Sequence, residues 1–282
     1  MRKTFSILLA AMMLLTTAVP AAAEGTTDKA TDKAAENVEV IVFAAASMTE
    51  TLTEIAELYK ETAPNVTLIF NFDSSGTLKT QIEEGADCDL FISAGQKQMN
   101  QMDISADKEI NTDGLDFVEE GTRINLLENK VVLAVPDDNP KNIQTFEDMA
   151  AGLADGSIIL AMGNADVPVG QYTQKIFTYY ELVEEELANA GSITYGTNVK
   201  EVTTQVKEGT VDCGVIYCTD GYSAELSIVD YATAEMCGQV IYPAAVMKNG
   251  AQKEEAQAFL DYLTTEEAME IFESVGFSPA EE

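Results

Sequence analysis

The sequence predicts an α/β protein made of two similar lobes around a ligand cleft. Three observations lead there. β-branched apolar segments alternate with amphipathic helical ones along most of the chain, as a parallel sheet covered by helices requires. One helix-to-strand unit occurs twice, and several strands run through small residues directly into a helix start.

The first such junction is Val40-Ile41-Val42-Phe43, a buried strand by composition, followed by Ala44-Ala45-Ala46 and then Ser47. Glu50 stands three residues after Ser47, the pattern of a capping box. Met48, Leu52, Ile55, Ala56 and Tyr59 mark one buried helical face. A strand, a small-residue turn and a helix N-terminus leave backbone N–H groups free at the positive end of the helix dipole, which suits an anion. Taken alone, the stretch favours the plainer reading of Ser47 as a helix cap.

A second strand over 66–72 ends in Asp73-Ser74-Ser75-Gly76-Thr77, and a helix from Leu78 stops at Gly85. Leu90-Phe91-Ile92 is a third strand, followed by Ala94-Gly95 and a polar helix through Met102. A strand over 130–135 is stopped by Pro136, and Thr145 with Asp148 caps a short helix. The strand at 157–162 runs into the loop 163–170 and a helix over 171–180. Helices over 183–190 and from 198 or 199 to 207 follow, then strands at 215–217 and 240–247 and amphipathic helices at 254–263 and 266–274. The repeat lies in Thr80-Gln81-Ile82-Glu83-Glu84-Gly85 with Asp87-Cys88 and its strand, echoed by Thr204-Gln205-Val206-Lys207-Glu208-Gly209 with Asp212-Cys213 and the next. If loops at the carboxyl ends of the strands carry the ligand in each lobe, the two sets face one cleft.

Composition narrows the function. The chain has 16 basic and 48 acidic residues and a net charge of −32, so nucleic acid and anionic membrane surfaces are poor partners. Histidine is absent, which removes the commonest general base, the His-activated nucleophiles and His-ligated metal sites. Cys88, Cys213, Cys218 and Cys237 leave three disulfide pairings open and match no zinc spacing; for Cys213 and Cys218, which flank a β-type segment, small buried thiols are the plain reading. Met1-Arg2-Lys3, the apolar residues 5–19 and Ala21-Ala22-Ala23 form an export signal over residues 1–23. No cysteine stands at that cleavage point, so a periplasmic or extracellular protein without a lipid anchor is expected. Residues 24–37 read as a flexible leader.

Several of these stretches together resemble the periplasmic molybdate-binding proteins of ABC importers. They are Val42-Phe43-Ala44-Ala45-Ala46-Ser47, Ser74-Ser75-Gly76-Thr77-Leu78, Asp89-Leu90-Phe91-Ile92-Ser93-Ala94, Val167-Pro168-Val169-Gly170-Gln171-Tyr172, Gly214-Val215-Ile216-Tyr217, Tyr242-Pro243-Ala244-Ala245-Val246 and Glu270-Ile271-Phe272-Glu273-Ser274-Val275-Gly276-Phe277, in the family's order. The resemblance implies a type II periplasmic-binding-protein fold, with one lobe over 38–126 and 242–282 and the other over 127–241. It places the ligand contacts on the hydroxyls of Ser47 and Ser75, the backbone N–H groups of Val169 and Val199, and the hydroxyl of Tyr217. Molybdenum would be held there as the molybdate oxyanion, without direct metal ligation, and no cofactor is implied. The implied partners are a membrane permease and its cytoplasmic ATPase, and a monomeric, non-catalytic receptor is expected. Asp73 and Asp166 depart from the family pattern and are expected to face solvent.

The implied contacts are neutral hydrogen-bond donors. A fully deprotonated tetrahedral dianion offers only acceptors and is satisfied by such a cage, whereas a protonated phosphate also asks for an acceptor. Sulfate makes the same demand as molybdate and can be excluded only by cavity size. The net negative charge is screened beyond ~8 Å at physiological salt, so local N–H dipoles prevail. Alternatives from the same residues are this fold with tungstate, sulfate or phosphate as main ligand, an exported enzyme using Cys213 or Cys218 without a histidine base, and an interaction protein that works through its acidic surface.

Overall fold

The computed structural model describes residues 37–280; the expected export signal and all but the last residue of the leader lie outside them. β1 (Val38–Ala45) pairs in parallel with β2 (Val66–Asp73) on one side and β3 (Leu90–Ile92) on the other. β10 (Val240–Val246) lies antiparallel to β3, β4 (Ile124–Asn129) antiparallel to β10, and β11 (Ser278–Pro279) closes the edge, giving the order β11-β4-β10-β3-β1-β2. The second sheet has the order β7-β6-β8-β5-β9. It is built from β5 (Val131–Val135), β6 (Leu160–Gly163), β7 (Ile193–Gly196), β8 (Cys213–Tyr217) and β9 (Ser227–Tyr231).

The two sheets are copies of one plan. β2-β1-β3 and β7-β6-β8 are parallel triplets, each continued by two antiparallel strands, β10-β4 and β5-β9. The repeat read in the sequence supplies the same part of each: α2 (Ser75–Glu83) leads to β3, and α7 (Val199–Lys207) leads to β8. Both helices close on a glycine in the left-handed region, Gly85 at φ +94° and Gly209 at φ +64°, a conformation that costs glycine little. The structural counterpart of Asp212 is Asp89, two residues after the Asp87 of the sequence match. Asp89 Oδ2 accepts from Ile41 N at 2.8 Å and Asp212 Oδ2 from Ile159 N at 2.8 Å, each pinning the neighbouring parallel strand.

The chain crosses between the lobes twice. β4 completes the first sheet and β5 opens the second after a single residue, Lys130, while β9 leads back to β10 through α9 (Ala234–Cys237). The change of sheet therefore comes at Lys130, later than the 126/127 division drawn from the resemblance. α1 (Thr49–Thr62), α10 (Lys253–Tyr262) and α11 (Glu266–Ser274) pack on the first lobe, with α3 (Gln96–Met102) beside α2. α4 (Phe146–Asp155), α5 (Pro168–Tyr179), α6 (Glu184–Ala190) and α8 (Cys218–Ser223) accompany α7 in the second. Helix α4 carries the expected capping box of Thr145 and Asp148.

β1 is apolar on both faces because both are covered. Val40, Val42 and Ala44 join Leu52 and Ile55 of α1 in one core, while Phe43 turns to the other with Leu78, Ile82, Phe91 and Met99. Each such aliphatic side chain contributes about 1.5–3 kcal/mol on full burial. The four cysteines are free thiols, and among the described residues no helix is long and apolar enough to cross a membrane.

Candidate functional site

Ser47 does not cap α1. It lies inside a single 3-10 turn, Ala46–Met48, that displaces the helix start, so that Met48 occupies the cap position without a side-chain bond. The Ser47 hydroxyl instead meets the Tyr242 hydroxyl at 2.9 Å. Glu50, freed from the expected box, reaches Lys200 at 2.7 Å.

Ser75 is the first residue of α2, because Ser74 takes the cap and accepts from Thr77 N at 3.1 Å. Its Oγ is fully buried and accepts from Ala94 N at 2.9 Å. Val169 is the second residue of α5, behind Pro168 at the first helical position, where its fixed φ is favourable and its missing N–H costs nothing. Val199 opens α7 under the Asn198 cap, which accepts from Glu201 N at 3.1 Å. Both valine side chains go into the core, and both N–H groups belong to a first helical turn, where no intrahelical acceptor exists. Tyr217 ends β8, and its hydroxyl donates to Ala94 O at 3.3 Å. Burial holds its pKa well above the ordinary tyrosine range, so it remains a donor.

These positions meet where the lobes meet. The Ala94 peptide is held from both sides, its N–H by Ser75 of the first lobe and its C=O by Tyr217 of the second. The Tyr217 and Tyr242 rings pack edge to face at 5.7 Å. A Cβ on Gly95 would lie 3.4 Å from Pro168, the residue before Val169. A Cβ on Gly76 would stand 2.9 Å from the Asp166 carbonyl carbon and closer still to its oxygen. Asn198 Nδ2 donates to Asp73 Oδ1 across the same seam at 3.3 Å. The lobes are closed on one another.

Two details correct the sequence reading. Asp73 is half-buried rather than turned to solvent, because Asn198 and its own neighbour Ser74 N, at 2.7 Å, both bind its Oδ1; Asp166 is exposed. The site also has Tyr242 and Asn129 buried at its edge, two residues outside the set that the resemblance implies. The signal for Tyr242 is the Tyr-Pro pair inside a strand. Proline cannot donate to the ladder, and the register of β10 shifts between Tyr242 and Pro243.

One ion pair links the helix starts. Lys200, next to Val199, faces Glu50 across the seam and Asp220 of α8 at 3.2 Å. Asp220 is fully buried and its oxygens lack a well-aligned hydrogen bond. Burial pushes it up to about 6 against the pull of Lys200, with Glu50 adding to the rise. Lys200 is held above the ordinary lysine range: burial opposes its charge, but the two carboxylates outweigh it. Both groups are thus ionised at neutral pH. Cys213, one of the two candidate nucleophiles, is fully buried, and its thiol is pushed up by burial and by Asp212, the reverse of activation.

Residues 40–278 match the family model of the bacterial extracellular solute-binding proteins. The chain belongs to that family. This solute-binding protein is 32% identical over 280 residues to a Bacillus subtilis protein provisionally named ABC transporter substrate-binding lipoprotein YvgL, with 99% of each chain covered. It is also 32% identical over 254 residues to the molybdate-binding protein ModA of Haemophilus influenzae, covering 86% of this chain and 91% of that one. The solved periplasmic molybdate-binding protein of Azotobacter vinelandii superposes with a TM-score of 0.72 at 22% identity, over 86% of this chain and 100% of the other. The two-lobed fold of the periplasmic binding proteins is thereby established for this solute-binding protein.

Proposed function

We propose that this protein captures molybdate, and tungstate with it, between its lobes and delivers it to the permease and cytoplasmic ATPase of an ABC importer. It acts without catalysis, as a monomer outside the cytoplasmic membrane. The observation that carries the reading is the donor set at the seam. Ser47, Ser75 and the first turns of α5 and α7 offer neutral donors from both lobes, and Tyr217 joins them when its hydroxyl turns from Ala94 O to the ligand. An acceptor-only dianion is what such a set satisfies. The relatives named for molybdate binding support the choice of ligand.

The test is thermal unfolding with molybdate, tungstate, sulfate or phosphate at equal concentration. A ligand at 100 times its Kd stabilises by about 2.7 kcal/mol. Stabilisation by molybdate and tungstate alone is expected, and a shift with sulfate or phosphate instead keeps the fold and replaces the ligand. A folded Ser47→Ala, Ser75→Ala double variant should lose at least ~100-fold in affinity, since hydrogen bonds to a charged group contribute about 1.5–3 kcal/mol each. Retained affinity would remove these serines from the site.

A further inference from the structure

Asn129 is the last residue of β4, at the point where the chain leaves one lobe for the other. Its amide orientation is fixed by its own neighbour: Oδ1 accepts from Lys130 N at 2.8 Å. The Nδ2 group therefore points the other way and donates twice, to Thr219 Oγ1 at 3.1 Å and to the Tyr242 hydroxyl at 3.1 Å. Tyr242 in turn lies 2.9 Å from Ser47 Oγ. All four side chains are buried, so water does not compete for these bonds.

A hydroxyl carries one proton and two lone pairs. Asn129 fills one lone pair of Tyr242, which leaves the other lone pair and the phenolic proton for its bond with Ser47. When Ser47 gives its own proton to a bound ligand, its bond to Tyr242 survives only if Tyr242 is the donor. Ser47 is then a donor toward the cleft with a lone pair already occupied. Ser75 is set the same way from a different source, because Ala94 N occupies an acceptor position on its Oγ.

We infer that Asn129 and Tyr242 are positioning residues that fix selectivity by holding Ser47 as a donor, so that an anion bearing a hydroxyl, such as hydrogen phosphate, meets the proton of Ser47 rather than a lone pair. The inference rests on the oxyanion-receptor reading above and deepens it. The Tyr242 hydroxyl touches Ser47 rather than the ligand and acts through it. Asn129 places the same control at the inter-lobe junction, where Thr219, from the other lobe, shares its amide.

Tyr242→Phe keeps the ring and removes the relay. Ser47 can then rotate and accept a proton from the ligand. Calorimetric titration of the full chain with molybdate, sulfate and inorganic phosphate at pH 7.5 should show the molybdate-to-phosphate affinity ratio falling at least ~tenfold, the scale of relieving one buried unpaired hydroxyl. The sulfate-to-molybdate ratio should stay put, since neither anion carries a proton. Asn129→Ala, which releases the Tyr242 hydroxyl from its fixed orientation toward Ser47, should move the ratio the same way and serves if Tyr242→Phe does not fold. Equal weakening of all three anions would reveal a merely structural role and overturn the inference, as would unchanged ratios in both variants. A wild-type chain that binds none of the three overturns the receptor reading, and this inference with it.

Discussion

Gly76→Ala isolates closure of the lobes from their folding. Gly76 is the second residue of α2, and an alanine methyl there would stand 2.9 Å from the Asp166 carbonyl carbon in the opposite lobe. Carbon atoms rest at about 3.5–4.0 Å, so the seam must open by roughly 0.6 Å or more at this point. The inter-lobe bonds from Tyr217 to Ala94 and from Asn198 to Asp73 already stand at 3.3 Å, and ligand contacts from Val169 N, Val199 N and Tyr217 would stretch with them. One lost hydrogen bond to an anion, about 1.5–3 kcal/mol, corresponds to roughly 10- to 150-fold in affinity. The ligand-free variant should unfold close to wild type, because the helix propensity of alanine, up to ~1 kcal/mol above that of glycine, offsets the weakened inter-lobe bonds of Tyr217 and Asn198. Titration calorimetry with molybdate measures the loss, and small-angle scattering with and without ligand measures closure. Wild-type affinity in a fully closing Gly76→Ala protein would refute the reasoning, since the exposed Asp166 loop would then yield at no cost.

The Lys200 ion pair gives two further expectations. Lys200→Met strands the buried Asp220 carboxylate and should destabilise by about 3 kcal/mol in denaturant unfolding at pH 7, whereas Glu50→Gln removes a half-exposed partner and should cost no more than ~1 kcal/mol; equal costs would contradict the assigned roles. Asp220 has a folded pKa of about 6, above its ordinary 3.8. Its contribution to stability is therefore fully present below about 3.8 and is lost as pH rises through about 6, by up to ~3 kcal/mol. Unfolding curves from pH 4 to pH 7.5 should show this decline in wild type and a shallower one in Asp220→Asn; parallel profiles would exclude the carboxylate as the source.

What the sequence disclosed and withheld follows from the range of each interaction. The parallel strands β1, β2, β3, β6 and β8 and the helices α2 and α7 are written in local periodicity and glycine stops, so both halves of the repeat could be read. β4, β7 and β9 could not, because their partly exposed, mixed patterns take definition only from neighbouring strands. Ser47, Ser75 and Tyr217 were visible as polar groups at strand ends, though the 3-10 turn that denies Ser47 its cap was not. Val169 and Val199 came from the resemblance alone, since a backbone N–H leaves no trace in residue type. The ties from Tyr242 to Ser47 and from Lys200 to Glu50 span 195 and 150 residues, beyond any local pattern.

Because the second sheet is threaded into the first between β4 and β10, both ends of the described chain, β1 and β11, belong to one lobe. A tether or fused module at either end holds that lobe and leaves the other to swing without load. For the same reason, a pair of fluorescent reporters fused at the two ends would ride together and stay silent as the ligand binds. A reporter of closure needs one label on each sheet, for instance at the exposed Tyr195 and Ile69, where the motion becomes a change in distance.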